Sequence, residues 1–271
     1  TGKCGFQFLL PFDFELKTFS EISIHIRGKK RALTTLNKGD VFSTIDKKKN
    51  ILARFRSLLT PTKGSKTIFF MHIPKTAGTT FNSYIRTLLP DQETISHIKA
   101  YDASQYKDFQ NRYRFISGHL TLGEIKRDFQ TENLRLITIL REPVSHLHSH
   151  LNWLKKVGND PASDYFRRHN DIIQRVALKM NRFDFSTATG IREFIENLEG
   201  MEFDLFDNCQ SRFFLTKRPD KVLEYHFEEI RKNLSSFYCI GFTEKYDEFI
   251  SEFCNKINVP VLTQKNEQKH L

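Results

Sequence analysis

Residues 66–88, KTIFFMHIPKTAGTTFNSYIRTL, constrain the fold more than any other stretch, because they read as a strand, a short polar loop and an amphipathic helix in direct succession. Ile68, Phe69, Phe70 and Met71 form a brief apolar run rich in aromatic residues, as expected of a strand buried on both faces in a parallel sheet. Pro74 ends the strand, and Gly78 allows a backbone turn that a side chain would obstruct. Thr79 or Thr80 is placed to cap a helix on which Phe81, Tyr84, Ile85, Leu88 and Leu89 recur near the 3.6 spacing. A loop of this kind turns several N–H groups toward one point at the positive end of a helix dipole, with the Lys75 ammonium beside it. Phosphate or sulfate is the expected occupant. The lysine precedes the glycine and no G-K-[ST] occurs, so the string is not a Walker A loop.

Two further strand exits carry polar chemistry. In RYRFISGHLTLGEI, Phe115 and Ile116 form a short strand that breaks at Gly118 and delivers His119 to its exit. In LRLITILREPVSHLHSHLNWL, residues 134–140 form a nearly all-apolar strand that ends at Arg141, and Pro143 suits the first turn of a helix over 144–156. Chemistry in α/β sheets gathers at the carboxyl ends of parallel strands, where both residues fall. Ser145, Ser149, Asn152 and Lys156 lie along one side of that helix, so Arg141 and Ser149 can converge on one oxyanion. His146, His148 and His150 alternate on the same helix, a spacing that suits packing and surface positions rather than a metal site. Trp153 reads as core.

These strings together resemble the carbohydrate sulfotransferases that use 3'-phosphoadenosine 5'-phosphosulfate, the group that includes the heparan 2-O-sulfotransferases. HIPKTAGTTF resembles their 5'-phosphosulfate loop, SGHLTLGE their G-H motif, and ILREPVSHLHSHLNWL their 3'-phosphate segment, with Arg141 and Ser149 eight residues apart as in the family. DNCQSRFFL, EEIRKNLSSFYCIGF and TEKYDEFISEF are similar to later parts of it, and the resemblance spans about residues 67–253. It implies a P-loop-like three-layer α/β domain with a central parallel sheet flanked by helices. It implies that Lys75, Thr76, Ala77, Gly78, Thr79 and Thr80 hold the 5'-phosphosulfate, that Arg141 and Ser149 hold the 3'-phosphate, and that Arg212, with Asn208, approaches cofactor or acceptor. His119 then serves as general base toward a carbohydrate hydroxyl, with Lys75 stabilising the departing phosphate and no metal required. One departure is visible: the heparan enzymes carry a second histidine two residues before the first, where this chain has Ser117. The closing KNEQKHL resembles part of a cofactor-covering loop.

The length of 271 residues accommodates one large α/β domain and a small companion, and 39% hydrophobic residues with 26 Phe exclude a disordered chain. Residues 1–50 read as a small, incomplete antiparallel β module, with GFQFLLP, EISIHIRG and RALTTL as strands; Ile22, Ile24 and Ile26 alternate with polar residues. Residues 51–65 read as a linker with a helix over 51–59, and 66–271 as the sulfotransferase-like domain. A start at Thr1 fits a segment of a longer protein. The net charge of +10 is concentrated in residues 1–65, with 13 Lys and Arg against 5 Asp and Glu, leaving 29 against 27 for the remainder. A solvated basic face is therefore expected rather than a nucleic-acid site. No integral membrane segment is expected, since no apolar run approaches about 18 residues. Cys4, Cys209, Cys239 and Cys254 lack metal spacing and suit a reducing compartment, cytoplasmic for a bacterial-type enzyme, or the Golgi lumen for a fragment of an anchored eukaryotic one. The alternatives are a P-loop-type kinase or NTPase and a non-catalytic glycan-binding module on the same fold.

Overall fold

The computed structural model describes residues 21–25, 32–37, 66–89, 91–258 and 261. The chain divides into two compact units, Thr1–Leu58 with Cys254–Leu271, and Leu59–Phe253. In the first, strand β1 (Glu21–His25) pairs antiparallel with β2 (Ala32–Asn37), and the register shifts between Ile24 and His25. The expected strand in GFQFLLP, the linker helix over 51–59 and the closing KNEQKHL lie outside the described residues.

The second unit is an α/β domain. Its strands are β3 (Thr67–Met71), β4 (Thr94–Ile95), β5 (Phe115–Gly118), β6 (Leu134–Leu140) and β7 (Cys239–Phe242). They form one sheet in the order β4-β5-β3-β6-β7, and every pair is parallel. Helices cover both faces. Helix α1 (Gly78–Leu88) packs on the face where Phe70 meets Phe81, their rings 4.9 Å apart and edge-on. Phe81 in turn touches Phe249 and Phe253 of the final helix, so that this layer is stapled by aromatic contacts. The opposite face buries Phe69, Met71, Ile116, Leu134 and Leu136 against residues of α2 (Tyr106–Arg112), α3 (Leu122–Asp128) and the 213–230 region. Each such side chain removed from water contributes about 1.5–3 kcal/mol. The alternation of Phe69 and Phe70 to opposite faces explains why the strand is apolar without a gap.

After β6 comes the long helix α4 (Pro143–Gly158), then α5 (Asp164–Arg167), α6 (Asp171–Met180), α7 (Ala188–Glu196), α8 (Cys209–Arg212) and α9 (His226–Leu234); α10 (Tyr246–Lys256) follows β7. Leu154 of α4, Val176 and Met180 of α6 and Phe194 of α7 make a separate small core. A 3-10 turn, Ala103–Gln105, capped by Asp102, leads into α2, and the final helix begins at Tyr246 after a 3-10 turn at Thr243–Lys245. Among the described residues no helix is long and apolar enough to cross a membrane.

The strand order fixes where a ligand can sit. The connection from β3 through α1 runs to one side, toward β4, whereas the connection from β6 runs to the other, toward β7. Between neighbouring strands whose connections diverge, the loops leave a crevice at their carboxyl ends. Here its two walls are residues 72–77 and Arg141 with Glu142.

Candidate active site

The 72–77 loop is held from three directions. The His72 N–H donates to the Gly118 carbonyl (3.0 Å), the buried Thr76 hydroxyl donates to the Ile73 carbonyl (2.9 Å), and His146 Nε2–H of α4 donates to the Pro74 carbonyl (2.9 Å). Lys75 and Ala77 both adopt left-handed backbone (φ 67 and 61), a conformation that costs a non-glycine residue about 1–3 kcal/mol and collects at functional sites. Gly78 does not. Its requirement is steric: a Cβ there would lie 2.0 Å from His72 Cδ2. The sequence expectation of a turn glycine is corrected accordingly, to a glycine on which an imidazole rests.

The helix start also differs from expectation. Ala77, not Thr79 or Thr80, occupies the N-cap of α1 and supplies no side-chain hydrogen bond, and the first turn carries no acidic residue. Thr79 and Thr80 are exposed within that turn. The helix therefore presents its N–H groups and its partial positive charge, worth about 0.3–1 kcal/mol to an anion, without a side chain in their place.

Three cations converge on this end. Burial, then the charges of Arg141 and Lys156, push the Lys75 ammonium below the usual lysine range. Its Nζ also lies 5.9 Å from the Trp153 ring centroid, so Trp153 is both packing residue and site wall. Arg141 reaches back across the crevice, donating from Nη1 to the Lys75 carbonyl (3.3 Å), while its buried Nε has no hydrogen-bond partner among the described residues. Among the described residues neither Lys75 nor Arg141 is ion-paired to a carboxylate. The carboxylate at the same strand exit, Glu142, is turned onto its own helix and accepts from the Val144 and Ser145 N–H groups (2.9 and 2.7 Å). Uncompensated neighbouring cations repel one another, and an anion between them removes that penalty.

Ser149 stands three residues from His146 and four from Trp153, the two α4 side chains that touch the loop, so it lies on the stripe facing the crevice and is half-buried. Arg212 does not join this group. It is buried beneath the 207–220 segment, donating to the Asp207 carbonyl and carboxylate and to the Pro219 and Asp220 carbonyls, and pairing with Asp204 at 3.2 Å. With its donors committed, the guanidinium is a structural clamp, and the expected contact with cofactor is corrected. Asn208 likewise bonds Asp207. The residue of DNCQSRFFL that reaches the site is Gln210, whose side-chain amide takes the Arg141 N–H (2.8 Å) and donates to the Arg141 carbonyl (2.8 Å).

His119 sits at the neighbouring strand exit, half-buried. Its Nδ1 lies 2.6 Å from the His72 carbonyl, which can only accept, so Nδ1 carries the proton and Nε2 keeps a lone pair. Burial lowers its pKa below the ordinary histidine value; the bond to His72 opposes this, and His97 and Lys99 add to the lowering. The His72 ring lies 4.3 Å from it and is pushed down to about 3, mainly by burial, so it stays neutral. The His97 ring lies 6.0 Å from His119 and 6.5 Å from His72, so that the three imidazoles form a cluster. Ser117 is fully buried, and its hydroxyl has no hydrogen-bond partner among the described residues. The second and third imidazoles of this chain come from other loops. Among the described residues, no group of His, Cys, Asp and Glu is arranged to hold a metal ion.

His72, His97 and Gln210 were not singled out in the sequence. His72 carries a signal in retrospect, a polar residue closing an apolar strand directly before the loop. His97 and Gln210 carry none, since their roles depend on contacts 22 and 69 residues away. The chain matches no protein-family model, and no curated protein sequence matches it.

Proposed function

We propose that the chain transfers a sulfuryl group from 3'-phosphoadenosine 5'-phosphosulfate to a hydroxyl of a carbohydrate. The observation that carries this reading is the pair of cations, Lys75 and Arg141, that have no carboxylate partner among the described residues, at the diverging strands β3 and β6, next to a helix N-terminus without a side-chain cap and one strand away from a histidine whose Nε2 keeps its lone pair. A donor with two separated anionic groups and an acceptor with a proton to lose fit that arrangement. The Lys75 ammonium and the first N–H groups of α1, at Gly78, Thr79 and Thr80, hold the 5'-phosphosulfate. Arg141, with Ser149 adding a neutral donor, holds the 3'-phosphate.

His119 Nε2 takes the hydroxyl proton as the acceptor oxygen bonds to sulfur, and the bond from sulfur to the bridging phosphate oxygen breaks. Lys75 receives the charge that develops on that oxygen, a contribution whose loss typically costs about 100- to 1,000-fold in rate. The products are the sulfate ester and 3',5'-bisphosphoadenosine, with the proton left on His119. Positioning and charge stabilisation account for the catalysis, as in phosphoryl transfer.

A kinase or NTPase reading requires a carboxylate after the second strand to hold Mg²⁺. At that exit stands Arg141, and Glu142 is committed to capping α4. The test is calorimetric titration with 3',5'-bisphosphoadenosine without Mg²⁺, against ATP with Mg²⁺. We expect binding of the former, at least tenfold weaker in Arg141→Ala, a loss of about 1.4 kcal/mol or more. Binding of ATP alone overturns the reading. Nucleotide binding with no transfer to any glycan favours the non-catalytic module.

A further inference from the structure

We propose that His97 is the acceptor-binding partner of His119, which makes this site one for a vicinal diol rather than for an isolated hydroxyl; the proposal rests on the sulfuryl-transfer reading above. The His97 backbone is fixed. It adopts left-handed φ 58 at the start of the 3-10 turn Ile98–Ala100, its carbonyl accepts from the Ala100 N–H, and the next residue, Ile98, is fully buried. Ile98 packs so closely on β5 that a Cβ at Gly118 would fall 2.6 Å from its Cγ1, and the Ile98 carbonyl accepts from the Tyr106 hydroxyl at 3.1 Å. The chain is thus pinned immediately beside the residue that precedes the base.

The His97 side chain makes no use of this rigidity for packing. It is exposed and makes no hydrogen bond as a helix cap. Its ring centroid stands 6.0 Å from that of His119 and 6.5 Å from that of His72. Of the three rings, His72 is enclosed against Gly78 and His119 has its Nδ1 occupied, which leaves His119 Nε2 and the two nitrogens of His97 as groups without a hydrogen-bond partner among the described residues. A centroid separation of 6.0 Å leaves room between the two rings for two oxygens on adjacent carbons, each in a hydrogen bond of about 2.8 Å. One hydroxyl gives its proton to His119; its neighbour is held by His97, and the acceptor is thereby oriented for attack.

The experiment uses the whole chain, radiolabelled 3'-phosphoadenosine 5'-phosphosulfate, and two sets of probes: methyl glycosides and oligosaccharides that carry vicinal diols, and their monodeoxy derivatives with one of the paired hydroxyls removed. Transfer to the diols and not to the monodeoxy probes is expected. His97→Ala should raise KM for a diol about tenfold, as loss of one hydrogen bond of about 1.4 kcal/mol predicts, and His97→Gln, which retains an amide donor, should recover part of it. Binding of 3',5'-bisphosphoadenosine should be unchanged in both. Unchanged KM in His97→Ala, equal transfer to the monodeoxy probes, or no transfer to any diol by a protein that still binds the nucleotide overturns the proposal and leaves the donor assignment standing. Failure to bind the nucleotide overturns both.

Discussion

A histidine acts as a base only when neutral, and only through a nitrogen that holds no proton. His119 meets the second condition because the His72 carbonyl fixes the tautomer, and the depressed pKa favours the first. With the folded pKa below the ordinary 6.5 or so, the base form persists to lower pH than in a free histidine. The acid limb of a pH profile of kcat/KM should therefore have its midpoint below about 6.5, and His119→Ala should abolish that limb together with nearly all turnover. A midpoint above 7 would remove His119 from the role. Gly78 supports the same geometry indirectly. Its missing Cβ makes room for the His72 ring, which stacks on Phe70 at 5.4 Å and faces His119 at 4.3 Å. In Gly78→Ala the ring has to leave this slot, at a cost of about 1–3 kcal/mol in stability as for other overpacked cores. A fall in melting temperature with a parallel drop in kcat is expected, and Thr79→Ala, one residue on and exposed, should not lower the melting temperature. A Gly78→Ala variant with unchanged melting temperature would refute the packing argument.

At the scale of elements, the apolar runs of β3 and β6 and the 3.6 spacing of α1 were legible because burial on two faces or one leaves a periodic signature. The divergence of β3 and β6 was not, since strand order follows from long-range pairing that no local pattern records. The same limit separated the site residues that were found from those that were not. Lys75, His119 and Arg141 each sit at the end of their own strand, and local reading reached them. Arg212 looked like a site residue from its string, yet only the fold shows its donors consumed by Asp204, Asp207, Pro219 and Asp220. Gln210, two residues earlier, is the one that matters to the crevice, since its amide pairs both backbone groups of Arg141 as another strand would. Truncation in Gln210→Ala leaves that N–H and carbonyl without partners, each worth about 1–3 kcal/mol when desolvated, and frees the β6 exit to shift. We expect 3',5'-bisphosphoadenosine to bind about tenfold more weakly to Gln210→Ala, with Ser211→Ala as the neighbouring control. Equal affinity in the two variants would confine Gln210 to folding.

For the whole molecule, four imidazoles in the second unit have pKa values lowered chiefly by burial: His72 and His150 to about 3, His119 and His146 by less. Such a group takes up a proton in the unfolded chain near pH 6.5 but resists it when folded. Its neutral burial is therefore without penalty above about 6.5, and folding stability falls as pH drops from there toward 3, by about 1.4 kcal/mol per pH unit for each strongly shifted histidine. His150 is the one to isolate. It is 2% exposed, neither ring nitrogen has a hydrogen-bond partner among the described residues, and its ring meets Trp153 at 5.3 Å and Phe206 at 5.8 Å, both edge-on. Phenylalanine keeps those contacts and carries no nitrogen to desolvate or protonate. In urea unfolding at pH 7.5 and pH 5.0, the unaltered chain should lose several kcal/mol between the two, and His150→Phe should lose about 2 kcal/mol less. Equal losses would mean that the folded protein accommodates a charged His150, which would contradict its burial among aromatic rings beside the Lys75 ammonium.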